Sequence, residues 1–143
     1  MICDLDNFIF HRVSSICSYP ISPDCFFTSI LILSVGLFKS FFNPNTWNSA
    51  VIFVGLTSLL HHSRLHAWYI YDSIRHLDNF AVIFITILGF YKLNYKKLWF
   101  LITVYCFLIF LSIFFDLFDS EYVPIIHSTT HFGLITATLI DDF

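Results

Sequence analysis

Two histidines four residues apart, His127 and His131, stand near the start of the last apolar run, which extends from Val123 to Ile140. On a helix, positions i and i+4 share one face with their Cβ atoms about 5–6 Å apart. At that spacing a single metal ion takes two imidazole nitrogens. The alternative needs no metal: two neutral imidazoles near a helix end, hydrogen-bonded to neighbours or to lipid headgroups. Two other stretches carry related groups. Gly55-Leu-Thr-Ser-Leu-Leu-His-His-Ser-Arg64 sets Ser58 four residues before His62, so a hydroxyl and an imidazole share a helix face. Thr57 stands in the same relation to His61. Arg75-His-Leu-Asp-Asn-Phe80 puts Asp78 at the expected first turn of another helix, where its plain alternative is an amino-terminal cap.

Three neutral imidazoles around an ion with one open position make a catalytic zinc site, in which coordinated water is acidified towards a pKa of ~7. A carboxylate beside it orients the water and accepts a proton, and a hydroxyl donates to the oxyanion that develops on a carbonyl. Ser58, His62, Asp78, His127 and His131 supply that set. Ionisable groups inside a membrane span are costly and mark function by default.

The elements that must position them are apolar. Of 143 residues, 57% are hydrophobic and 12% charged, and the mean hydropathy is +0.77. A soluble domain carries about twice that charge, so the class is an all-α membrane protein of one domain. Nineteen phenylalanines beside four glycines point to large side chains facing lipid. The few dispersed basic residues exclude a nucleic-acid footprint, and a net charge of −3 argues for no partner.

Residues 1–24 read as a polar tail with no cleavable signal. Five transmembrane helices follow, at about 25–42, 47–63, 77–91, 98–117 and 123–140. Asn43-Pro44-Asn45 is a turn, Thr46 is the expected cap of the second helix, and Lys39 snorkels from the first. Arg64 to Leu77 is a loop or an interfacial helix, and the third span lengthens if it begins inside that stretch. Five spans put the termini on opposite sides. The three lysines of the Lys92–Lys97 turn favour a cytoplasmic face there, which places the amino terminus outside or in a lumen. The same parity brings the end of span two, the start of span three and the start of span five to one membrane surface. His62, Asp78, His127 and His131 therefore meet at one depth, where a lipid presents its ester or amide bond.

Cys3, Cys17 and Cys25 precede or begin the first span, and Cys106 lies within a later one. No C-x-x-C pair occurs, which argues against a thiolate zinc site, while a disulfide among the first three fits an oxidising compartment. His62 with His66, and Asp72 with His76, are further i,i+4 pairs read as solvated polar residues. Asp116, Asp119 and Glu121 read as a water-facing loop.

The Ser58-Leu-Leu-His-His62, Leu77-Asp78-Asn79-Phe80 and His127-Ser-Thr-Thr-His131 motifs together resemble the CREST superfamily, whose members include alkaline ceramidases, adipoQ-type receptors, haemolysin-III-like proteins and GPI-anchor lipid-remodelling proteins. The resemblance covers roughly residues 47–92 and 122–140. Its spacing selects His62 over His61. It implies a zinc ion on His62, His127 and His131, Asp78 near the metal-bound water and Ser58 near the reacting carbonyl. The implied activity is hydrolysis of a lipid amide or ester; the alternative is a receptor-like or structural protein in which the ion only staples helices. The superfamily fold has seven helices, so five make a reduced bundle with an open wall beside the site. A homodimer or another partner would close that wall.

Overall fold

The computed structural model describes residues 23–63, 71–115, 117 and 122–140. They form five helices, α1 Pro23–Phe42, α2 Thr46–Ser63, α3 Tyr71–Lys92, α4 Lys96–Phe114 and α5 Val123–Ile140, with no strand among the described residues. The chain is an all-α membrane protein. Four of its helices, α1, α3, α4 and α5, are long and apolar enough to cross a bilayer. The second helix, expected as a span, is not one of the four. Its opening Thr-Trp-Asn-Ser and closing His-His-Ser dilute its apolar middle.

The packing accounts for that difference. α2 lies between α1 and α3 and also touches α5. It buries Trp47, Asn48, Val51, Val54, Thr57 and Ser58, polar and apolar together. One face of α2, with Phe53, Leu56 and Leu60, stays exposed, while the face turned to its neighbours carries the polar groups a bundle interior uses. The circuit continues from α1 to α5 and from α5 to α4. α4 is the outermost helix, with only 6% of its spanning stretch buried.

The bundle has the polarity of a lipid-solvated fold. Its core is built from Ile32, Ala50, Val51, Ala81 and Ala137, with Ser29, Thr57 and Thr138 buried among them. No phenylalanine is among the buried residues described, whereas Phe27, Phe41, Phe80, Phe100 and Phe110 are exposed. Lipid tails take the large side chains, and small residues let the backbones approach. Gly55 shows how close that approach is. A Cβ there would stand 2.7 Å from the backbone nitrogen of Leu33 and 2.8 Å from its Cα, so glycine sets the α1–α2 separation about two turns before His62. At the other end of the bundle the Trp99 indole lies over Gly89 and donates to the Thr86 carbonyl at 2.9 Å, joining α4 to α3.

Three local expectations change. Asn45, not Thr46, caps α2: its Oδ1 accepts the Asn48 backbone N–H at 2.8 Å, three residues on. Lys39 does not reach outward but is 3% exposed, within the bundle. α3 begins at Tyr71, so the stretch 71–77 is helical and Asp78 sits two turns inside the helix. The amino-terminal tail through Ser22, with Cys3 and Cys17, lies outside the described residues, as do His66, Asp116, Asp119 and Glu121 and the side chain of Asp72. His76 is exposed.

Candidate metal centre

The first turns of α1 and α5, the early turns of α3 and the last turn of α2 converge at one end of the bundle. His127 and His131 lie one turn apart on α5 with ring centroids 5.2 Å apart. The His62 ring, from the end of α2, stands 5.3 Å from that of His127 and 5.5 Å from that of His131. Three imidazoles from two helices thus form a near-equilateral group at one end of the bundle.

Hydrogen bonding identifies which nitrogens face inward. His131 Nδ1 lies 2.7 Å from Thr28 Oγ1 of α1. That hydroxyl has one proton, and it points to the carbonyls of Asp24 at 2.8 Å and Cys25 at 3.2 Å. The tautomer with its proton on Nδ1, accepted by Thr28, is the one that leaves the His131 Nε2 lone pair for an ion. Orientation of one ring nitrogen by a neighbour is how metal-binding histidines are held. His62 Nε2 is buried without a hydrogen-bond partner. A buried polar atom in that condition costs about 1–3 kcal/mol unless something supplies the missing bond. A cation supplies it, and the set that fits one here is His62, His127 and Cys25, whose donor atoms lie within 4.8 Å of one another; His131, expected as the third imidazole ligand, belongs to no such set among the described residues.

Asp78 is buried beside them, 7% exposed. Its Oδ1 accepts from Thr57 Oγ1 across the α2–α3 interface at 3.0 Å, and Ser58 is a second hydrogen-bonding neighbour of the same carboxylate. The capping alternative for Asp78 is thereby removed, since the residue lies in mid-helix and bonds to another helix. Thr57, singled out from sequence only as the companion of His61, instead anchors the acid. Ser58, expected near a reacting carbonyl, lies against the acid and is 2% exposed.

Donor atoms within 4.8 Å of one another form two sets, Cys25 with His62 and His127, and His61 with His62 and Asp78. His62 belongs to both. His61, whose ring is 4.7 Å from that of His62, lies on the Asp78 side, while His62 faces the α5 pair. Sequence reasoning read Cys25 as a possible disulfide partner and argued against a thiolate zinc site, and it did not single out Thr28. Both lie on α1, a helix that carries no His and no charged group but Asp24 and Lys39, and only the i,i+3 spacing of Cys25 and Thr28 marks a polar stripe there.

No protein-family model, no characterised protein and no solved structure matches the chain.

Proposed function

We propose that this chain is an integral-membrane zinc-dependent hydrolase acting on a lipid amide or ester bond. The observation that carries the proposal is the group of three imidazoles, His62, His127 and His131, with ring centroids 5.2 to 5.5 Å apart and a buried Nε2 on His62 that nothing among the described residues satisfies. These three would hold the ion. Zinc supplies Lewis acidity: it acidifies water and polarises a carbonyl.

The other residues have roles that follow from their contacts. Asp78, held by Thr57, takes a proton from the attacking water and returns it to the leaving group. Ser58 has a hydroxyl that rotates between the Asp78 carboxylate and an incoming carbonyl oxygen, where it donates to the developing oxyanion. Thr28 fixes the His131 ring. A lipid enters from the side. α3 and α5 do not pack on one another among the described residues, and the named contacts of α3 with α4, through Gly89 and Thr86, lie at the far end. The seam between α3 and α5 is accordingly the open wall, flanked by exposed Leu77, Phe80 and Phe84. A second copy of the chain would cover it.

One observation favours a second reading, in which the ion staples helices without turnover: Cys25 lies within ligand reach, and a fourth protein ligand closes the site. Two measurements separate the readings. Protein purified in detergent carries one zinc per chain, and the His62→Ala, His127→Ala, His131→Ala triple variant carries none; full occupancy in the triple variant would eliminate the centre. Asp78→Asn keeps zinc and abolishes lipid turnover if the site is hydrolytic. Lipid profiles that do not differ between cells expressing the wild type and those expressing Asp78→Asn leave the staple.

A further inference from the structure

Cys25 is the third residue of α1 and reaches the histidine group from the side opposite α3. It is 2% exposed and is a thiol. Its Sγ and the ligand nitrogens of His62 and His127 all lie within 4.8 Å of one another, three donors from three helices. The sulfur donates to the Pro124 carbonyl at 3.3 Å, across the α1–α5 interface. Pro124 is the second residue of α5, so its carbonyl also accepts from the helix backbone four residues on. Loss of the thiol proton therefore orphans no buried group.

We propose that Cys25, as thiolate, is a ligand of the same ion, making the centre a mixed thiolate–imidazole site that joins α1, α2 and α5. The inference rests on the metal centre proposed above. Electrostatics gives the physical reason. Three neutral imidazoles contribute no charge to a buried divalent cation, and the Asp78 carboxylate near His62 offsets that charge only from outside the Cys25–His62–His127 set. The self-energy of a buried ion rises steeply with its net charge, so a directly bound thiolate lowers that cost. Binding releases the thiol proton to water at the bundle end. A thiolate also biases the site towards zinc, cobalt and cadmium and away from magnesium, calcium and manganese. With Cys25 as a fourth protein ligand the coordination would be closed, which favours the helix-stapling reading of the centre.

The test uses the full chain, purified in detergent under reducing conditions and loaded with cobalt(II). The wild type is expected to show visible d–d bands of a tetrahedral ion together with a thiolate-to-cobalt charge-transfer band in the near ultraviolet. Cys25→Ser is expected to lose the charge-transfer band, keep the visible bands and bind cobalt at least about tenfold more weakly; Cys106→Ser is expected to change none of these. Visible bands without charge transfer in the wild type would overturn the sulfur ligand and leave the histidine centre standing. No cobalt uptake by the wild type would overturn the centre and the ligand together. Because both of these results are read on the wild-type protein, poor folding of Cys25→Ser does not rescue the proposal.

Discussion

Thr28→Val removes one oxygen from the bundle and keeps the shape of the side chain. Thr28 Oγ1 makes three contacts, to the Asp24 carbonyl, the Cys25 carbonyl and His131 Nδ1. The two carbonyls belong to α1 and keep their backbone bonds when the hydroxyl goes. The imidazole keeps nothing: its Nδ1–H, inside a residue 8% exposed, loses its acceptor. Leaving one such donor unsatisfied costs about 1–3 kcal/mol. Loss of an orienting partner of a metal-binding histidine weakens metal affinity about 10–100-fold, which corresponds to about 1.4–2.7 kcal/mol. The two ranges agree because they describe the same broken bond seen through two equilibria. Zinc affinity is measured by competition with a chromophoric chelator, with thermal melting in detergent as the parallel readout. Thr28→Ser should restore both, since it returns the oxygen without the methyl. Zinc affinity in Thr28→Val equal to that of the wild type, alongside loss of zinc in His131→Ala, would refute the role assigned to the α1 hydroxyl.

Other changes have equally definite outcomes. Gly55→Ala drives a methyl against the Leu33 backbone, 2.7 to 2.8 Å away, and should cost about 1–3 kcal/mol in melting experiments and weaken zinc binding by shifting His62. Gly133→Ala meets side-chain atoms and no backbone, Ile102 Cγ2 at 2.9 Å and Cys106 Sγ at 3.9 Å, and should be milder by the same assay. Thr57→Val frees the Asp78 carboxylate from its 3.0 Å bond; turnover should fall more than zinc content, as measured by lipid hydrolysis beside elemental analysis. Tyr105→Phe removes the 2.6 Å bond from Tyr105 to Thr129 that ties α4 to α5, worth about 0.6 kcal/mol in a membrane, and melting should register that small loss without any change in zinc.

Much of the fold was legible because membrane helices are written locally. Apolar runs of spanning length gave the bounds of α5, placed α1 within two residues and α4 within three, and Asn43-Pro44-Asn45 marked the turn that the structure contains. The start of α3 was less visible, because Tyr71 to Asp78 carries Asp72, Arg75 and His76, which hydropathy alone assigns to a surface segment. That one boundary decided Asp78: at a helix start it caps, two turns in it bonds to another helix.

Spacing within one helix is a property of the chain itself, and it put His127 and His131 on one face of α5; the meeting with His62 was expected from a count of five spans, whereas four helices are long and apolar enough to cross. Which groups on α1 would meet them was settled only by packing. Thr28 and His131 are 103 positions apart in the chain, and Cys25 and Pro124 are 99 apart. Their meeting depends on how α1 is rotated and how near it lies, which is fixed by Gly55 against Leu33 and by small residues along the interface. Helical periodicity repeats every 3.6 residues and says which side chains share a face; the direction that face looks is decided by its neighbours.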